Sequence, residues 1–324
     1  MNVAILGCGG MGRLHAQMAT NCGLRISYCA DAIRKAAKGL ADDFNAKAVT
    51  DPLKAIQAED TDIVVITTPT PTHEPLVTAA AEAGKHVFCE KPFCRTSEDC
   101  KKAIASAEKA GVTLFVGHVV RYFQEFELMR EGIQKGSIGK VGWLKLFRGG
   151  IFPGVKGSWF RDYEQSGGVT FDCMIHDLDW IRYVFGEPER IFCQAIMRSE
   201  PTSLDYSQVT MRMKSGIIAT VINTWAAPSG FKVKAEICGS KGMIQFDSTE
   251  SPLGAEPRQT GSGPTMFVPM SPVAISPYQL EWQDFIATIG GNHTPRVTPQ
   301  DGLRAVEMAE AALKSSSTKQ AVKL

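Results

Sequence analysis

The chain passes from a short apolar run, Val3-Ala4-Ile5-Leu6, into Gly7-Cys8-Gly9-Gly10-Met11-Gly12 and then into a helical stretch from Met11 to about Asn21. A strand, a G-x-G-x-x-G turn and a helix in that order are the opening of a dinucleotide-binding βαβ unit. Each glycine has a physical reason. Gly7 permits the tight turn, Gly9 lets backbone approach a pyrophosphate, and Gly12 lets the helix pack close to the sheet. The helix N-terminus then faces the phosphates. Taken alone the motif is only a Gly-rich turn. Asp31, at the end of the second strand pattern Leu24–Ala30, adds the acidic residue expected about 20 positions on. Its carboxylate suits the adenosine ribose hydroxyls and repels a 2′-phosphate, which favours NAD. Arg34 and Lys35 nearby leave NADP open.

The rest of the first third keeps alternating. Asp51-Pro52 reads as a helix N-cap followed by proline at the first helical position. Asp62–Thr67 is a β-branched strand, Glu74–Ala83 a helix closed by Gly84, and His86–Cys89 a further strand. Thr96 opens a helix that Gly111 ends, and Val112–Val116 is a fifth strand. Strands alternating with helices of this length predict a parallel, doubly wound α/β sheet. Beyond residue 120 the style changes. A helix near Phe123–Gln134 and a strand at Val141–Phe147 precede a Gly/Pro-rich stretch and a helix from about Thr170 to Phe185. Five β-rich runs follow: Ile191–Met197, Gln208–Met213, Ile217–Asn223, Val233–Cys238 and Met243–Phe246. Short turns between several of them predict an α+β domain with a large open, mostly antiparallel sheet. Ser251–Pro277 reads as a long loop, and a last helix at about 299–315 is expected to pack back on the body. The expected domains are 1–120, dinucleotide-binding, and 121–324, substrate-binding and oligomerising.

Composition narrows the classes. A formal net charge of +1 carries no basic surplus for nucleic acid or an anionic membrane. No segment approaches the roughly 18 apolar residues of a membrane span. The nine cysteines are scattered, without metal-ligand spacing, and the start lacks a signal-peptide pattern. The expectation is a cytoplasmic protein without nucleic-acid, membrane or metal partners.

In an open parallel sheet, ligands bind outside the carboxyl ends of the strands. Those ends here carry Thr67-Thr68-Pro69, Glu90-Lys91-Pro92 and Gly117-His118, with His73 and Arg121 close behind. Lys91 is either a solvated surface lysine or a group that holds cofactor ribose and substrate oxygen. Farther on, Asp172 and His176 stand four apart within a predicted helix and therefore share a face. That pair is either a structural ion pair or an acid/base set. An imidazole is suited by its ordinary pKa to take a hydroxyl proton near neutral pH. Lys91 suits the stabilisation of a developing alkoxide.

At these residues the chain resembles the Gfo/Idh/MocA family, named for glucose–fructose oxidoreductase, inositol dehydrogenase and the rhizopine-catabolism protein MocA. The glycine loop within Val3–Gly12, Glu90-Lys91-Pro92 and the segment Gly167–Asp179, which is similar to GGxxxDxxxHxxD, carry the resemblance. Thr68–His73, Gly117-His118 with Arg121, and Gly239–Gly242 are smaller echoes. Ser166 and Met174 stand where many members have glycine, and they bear on substrate shape rather than on chemistry.

The resemblance implies catalytic roles for Lys91, Asp172 and His176. It implies cofactor contacts from Gly7, Gly9, Gly10, Met11, Gly12, Asp31, Thr67, Thr68, Pro69, His73, Glu90 and Lys91. Substrate contacts are expected from Lys91, His118, Arg121, Asp172 and His176, in a cleft between the domains. It further implies a cis Lys91–Pro92 peptide and a homodimer or homotetramer formed through the second sheet. Asp179 is expected to be structural. The expected activity is NAD(P)-dependent hydride transfer at a hydroxyl carbon of a sugar, inositol or related polyol. Two alternatives stay open: reduction or C3-oxidation of a glycoside or nucleotide-linked ketosugar, and a non-catalytic NAD sensor.

Overall fold

The computed structural model describes residues 1–154, 158–196, 205–227, 230–250, 275–291 and 293–324. In chain order its elements are β1 (Asn2–Leu6), α1 (Gly10–Asn21), β2 (Arg25–Ala30), α2 (Arg34–Phe44), β3 (Lys47–Val49), α3 (Pro52–Ile56), β4 (Ile63–Ile66), α4 (His73–Glu82), β5 (His86–Glu90), α5 (Ser97–Ala110) and β6 (Leu114–Gly117). Then come α6 (Gln124–Gln134), β7 (Val141–Gly149), α7 (Tyr163–Ser166), α8 (Gly168–Asp172), α9 (Ile175–Phe185), β8 (Pro188–Ile196), β9 (Tyr206–Met213), β10 (Ile218–Thr224), β11 (Lys232–Gly239) and β12 (Gly242–Asp247). The chain closes with α10 (Pro277–Ile289), α11 (Pro299–Thr318) and β13 (Val322–Lys323). Two compact units result, Met1–Tyr122 with Ile275–Val306, and Phe123–Ala274 with Glu307–Leu324.

The first unit holds a six-stranded sheet in the order β3-β2-β1-β4-β5-β6, parallel throughout. Its central strands are apolar on both faces because helices cover both. Val3–Leu6 and Ile63–Ile66 are fully buried. The start and stop signals act as their chemistry requires. The Asp51 side chain accepts from Leu53 N, Thr96 accepts from Asp99 N, and Gly111 ends α5 in the left-handed conformation. Three elements of this unit lie outside the sequence expectation, α2, β3 and α10. The proline that was to close the Ser251–Pro277 loop instead opens α10, and residues 251–274 of that loop lie outside the described residues. Aromatic packing holds α10 in this unit. The Trp282 ring stacks on Phe88 at 5.3 Å, and Phe285 meets Phe88 and Phe115 at 5.5 Å each.

The second unit holds a seven-stranded sheet, β12-β11-β7-β10-β9-β8-β13. All its pairs are antiparallel except β7 with β10, so the sheet is mixed but mostly antiparallel, as expected. One face is the core, with Leu144, Val209, Met211, Val221 and Ile237 buried in strict alternation. The predicted helix Thr170–Phe185 is a correction, because α8 ends at Asp172 and α9 begins at Ile175. Met174 N bonds to Val169 O, five residues back, and His176 N bonds to Cys173 O, three back. This slip in the hydrogen-bond ladder interrupts the helix between Asp172 and His176. A continuous helical face therefore does not relate the two side chains.

No helix among the described residues is long and apolar enough to cross a membrane.

Candidate active site

The glycine turn after β1 is built for close approach. Gly7 has φ +92°, and a Cβ there would lie 2.7 Å from the Thr67 carbonyl carbon. A Cβ on Gly12 would lie 1.9 Å from Gly7 O. Thr67 ties the turn to β4, its hydroxyl donating to Gly7 O at 2.7 Å and to Leu6 O at 3.0 Å. Asp31 ties it to β2. One of its carboxylate oxygens accepts from Cys8 N and the other from Ile33 N, each at 2.8 Å. Gly9 differs from its neighbours, since a Cβ there would meet nothing within 4 Å. It also begins α1 without any side-chain cap, and the first turn of α1 carries no acidic residue. An open glycine before an uncapped helix N-terminus is a cradle that fits a dinucleotide pyrophosphate. Gly9 and Gly10 are exposed and Met11 is half-buried beside them.

Behind the cradle, Thr67, Thr68 and Pro69 are half-buried. His73 is buried, with Nε2 2.9 Å from Thr68 O and Nδ1 3.0 Å from Pro92 O and 3.1 Å from Phe93 O. Burial pushes its imidazole below the ordinary range, against the pull of those three carbonyls. His73 therefore braces the two strand-end loops. Lys91 is half-buried, and its peptide to Pro92 is cis. The Lys91 backbone N–H donates to the Glu90 carboxylate at 2.9 Å. His118 and Arg121 are both buried. Arg121 donates to Arg296 O at 2.6 Å and lies 3.2 Å from Asp301, an anchoring geometry within this unit.

In the second unit the motif segment is nearly all interior. From Ser166 through Ile181 every residue is buried except His176. His176 is half-buried, and its Nδ1 is itself buried. Asp172, at the end of α8, and Asp179 are buried. The residue after His176, Asp177, anchors α9. Arg148 on β7 grips it through Nε at 3.1 Å and Nη2 at 2.8 Å, and Asn223 on β10 donates to it at 3.0 Å. Removing one partner of a buried ion pair leaves an uncompensated charge. Arg148→Met is therefore expected to cost about 3–5 kcal/mol in urea unfolding. Adding Asp177→Leu should recover much of that loss, and failure to recover it would deny that the stranded charge is the cause.

Residues 1–118 match the family described as "Oxidoreductase family, NAD-binding Rossmann fold", GFO_IDH_MocA, and residues 126–245 match its C-terminal domain. The chain is 31% identical to the myo-inositol 2-dehydrogenase of Thermotoga maritima, over all of this chain and 98% of that protein. The chain belongs to the GFO/IDH/MocA oxidoreductase family. As a GFO/IDH/MocA member it is also 31% identical to the inositol 2-dehydrogenase of Rhizobium meliloti, over 99% of this chain and 98% of that one. The crystal structure of a probable dehydrogenase from Thermotoga maritima superposes with a TM-score of 0.85 at 29% identity, covering 100% of this chain and 98% of that one.

Sequence reasoning missed several groups of this GFO/IDH/MocA chain. His15 reads from the sequence as a surface or core residue; it is in the core, and what the sequence did not show is its Nε2 lying 2.8 Å from Glu90 Oε1. The available signal was its place beside Gly12, Ala16 and Ala19 on the inward face of α1. Trp282, Arg148 and Asn223 offered no local signal, because their partners are distant in sequence.

Proposed function

We propose that the protein is an NAD-dependent dehydrogenase that oxidises a secondary hydroxyl of an inositol or a related polyol or sugar. The observation that carries the reading is the half-buried His176 within an otherwise buried motif segment. Full-length similarity to two inositol 2-dehydrogenases supports the substrate class.

The cradle of Gly7, Gly9 and Gly12 holds the pyrophosphate, and Asp31 takes the adenosine ribose. NAD held there would supply a nicotinamide ring as the hydride acceptor. The chain's own groups manage the proton and the oxygen. His176 removes the hydroxyl proton as the C–H bond gives up its electron pair. Lys91 polarises the same oxygen and stabilises its alkoxide character. Asp172 orients the imidazole or binds a neighbouring hydroxyl. One proton on His176 and one hydride on the cofactor balance the conversion of CH–OH to C=O.

The test is nicotinamide absorbance with purified protein, pairing NAD and NADP with inositols, aldoses, alditols, sugar acids and simple glycosides. The expected result is turnover of an inositol or related polyol with NAD preferred, because the Asp31 carboxylate repels a 2′-phosphate. Binding of NAD without turnover of any member would replace the dehydrogenase reading with that of a sensor. Oxidation of NADH by a ketosugar alone would reverse the direction.

A further inference from the structure

His15 takes no part in the chemistry above, yet it joins three elements of the first unit. Trp282 Nε1 on α10 lies 3.0 Å from His15 Nδ1 on α1, and His15 Nε2 lies 2.8 Å from Glu90 Oε1 at the end of β5. The other Glu90 oxygen accepts the Lys91 N–H at 2.9 Å. An indole N–H only donates, so His15 Nδ1 must accept. That fixes the neutral imidazole with its proton on Nε2, and this proton must be donated to Glu90. Both Glu90 oxygens are then acceptors, as a carboxylate requires.

Packing makes the arrangement rigid. The His15 ring lies 4.8 Å from that of Phe88, on which Trp282 stacks. The Glu90 carboxylate sits against Gly117, where a Cβ would come within 3.3 Å of it. Burial pushes the Glu90 carboxyl up, while the hydrogen bond from His15, the charge of Lys91 and the Lys91 N–H pull it down, and both of its oxygens serve as acceptors. Besides His15 and Lys91, the titratable groups that act on it are His73 from α4, Cys89 beside it and Glu281 from α10. Glu281 is fully buried, and its carboxyl oxygens find no hydrogen-bond partner among the described residues. Burial first, then the charges of Glu90 and Asp284, push its carboxyl well up.

We propose that Trp282 and His15 form a fixed hydrogen-bond relay that holds Glu90 ionised and through it sets the position of Lys91. His15 is then a positioning residue. This inference rests on the assignment of Lys91 to the substrate oxygen.

The experiment compares His15→Ala, His15→Gln and Trp282→Phe with the wild type, using NAD and the polyol turned over best in the panel. His15→Ala should lower kcat by up to about 100-fold, the scale of a small misplacement of a reacting group. NAD affinity and KM should hardly move. Its kcat profile should gain a second acid step beside the His176 limb, because a Glu90 without its donor takes up a proton at higher pH. His15→Gln, which keeps a donor for Glu90, should recover most of kcat. Trp282→Phe, which keeps a ring but loses the N–H, should fall between them. A His15→Ala variant with near-normal kcat and no second acid step overturns the relay, even if its Tm drops. Should that variant fail to fold, His15→Gln and Trp282→Phe carry the same test.

Nitrogen NMR of histidine-labelled wild type supplies a readout independent of substrate. A neutral His15 protonated on Nε2 supports the relay, and a charged or Nδ1-protonated ring overturns it. Wild type that turns over no polyol but shows this tautomer would sink the dehydrogenase reading and leave the relay standing.

Discussion

Replacing His176 by alanine is expected to lower kcat by about 10²- to 10⁴-fold, the range of a lost general base, while leaving NAD binding intact. The two effects separate because His176 belongs to the second unit, whereas every cradle residue belongs to the first. Lys91→Ala is expected to lose about 10²- to 10³-fold through lost stabilisation of the oxygen. The double variant should fall short of the product of the two, since groups acting on one proton and one oxygen act as a unit. The pH profile adds a check. Wild-type kcat should rise on the acid side as the imidazole gives up its proton, and His176→Ala should lose that limb. Near-normal turnover by His176→Ala would remove the acid/base assignment.

The alternating strands and helices of the first unit were legible because buried parallel strands leave apolar runs, and because the caps are local chemistry. Asp51, Thr96 and Gly111 act within three or four residues of themselves. The element α2 was not legible for a physical reason. Only Ala37, Leu40 and Ala41 of Arg34–Phe44 are buried, so the apolar stripe is thin and made largely of alanine. The strand β3 that follows has only three residues, none of them buried. Near His176 the apolar pattern runs on through Cys173 and Met174, which are buried whether or not the helix continues. The slipped backbone bonds at that point have no side-chain signature. The motif residues themselves were legible by resemblance, but their supports were not. Arg148, Asn223, His15 and Trp282 act across 29 to 267 positions of sequence. Only the folded chain brings such partners together.

Gly9→Ala and Gly12→Ala should fail in opposite ways, and the contrast tests the cradle more sharply than either alone. At Gly12 the added methyl would stand 1.9 Å from Gly7 O, with Gly7 backbone and the Thr67 hydroxyl close behind. None of these can swing aside, because Gly7 N donates to Ala30 O at 2.8 Å and the Thr67 hydroxyl donates to Gly7 O at 2.7 Å. The helix α1 must move away from the sheet, at a cost of about 1–3 kcal/mol or more. Gly12→Ala should therefore lose NAD binding and also several degrees of Tm. At Gly9 the methyl meets nothing within 4 Å, and φ is −78°. The free protein should tolerate it, with Tm unchanged. The space it fills is the space a pyrophosphate needs, so NAD affinity should drop by about 100-fold, equivalent to about 2.7 kcal/mol. Isothermal titration with NAD and a thermal melt on each variant measure the two effects separately. A Gly9→Ala variant that binds NAD as tightly as wild type would mean that the pyrophosphate does not lie over this turn, and the cradle would have to be sought elsewhere along the strand ends.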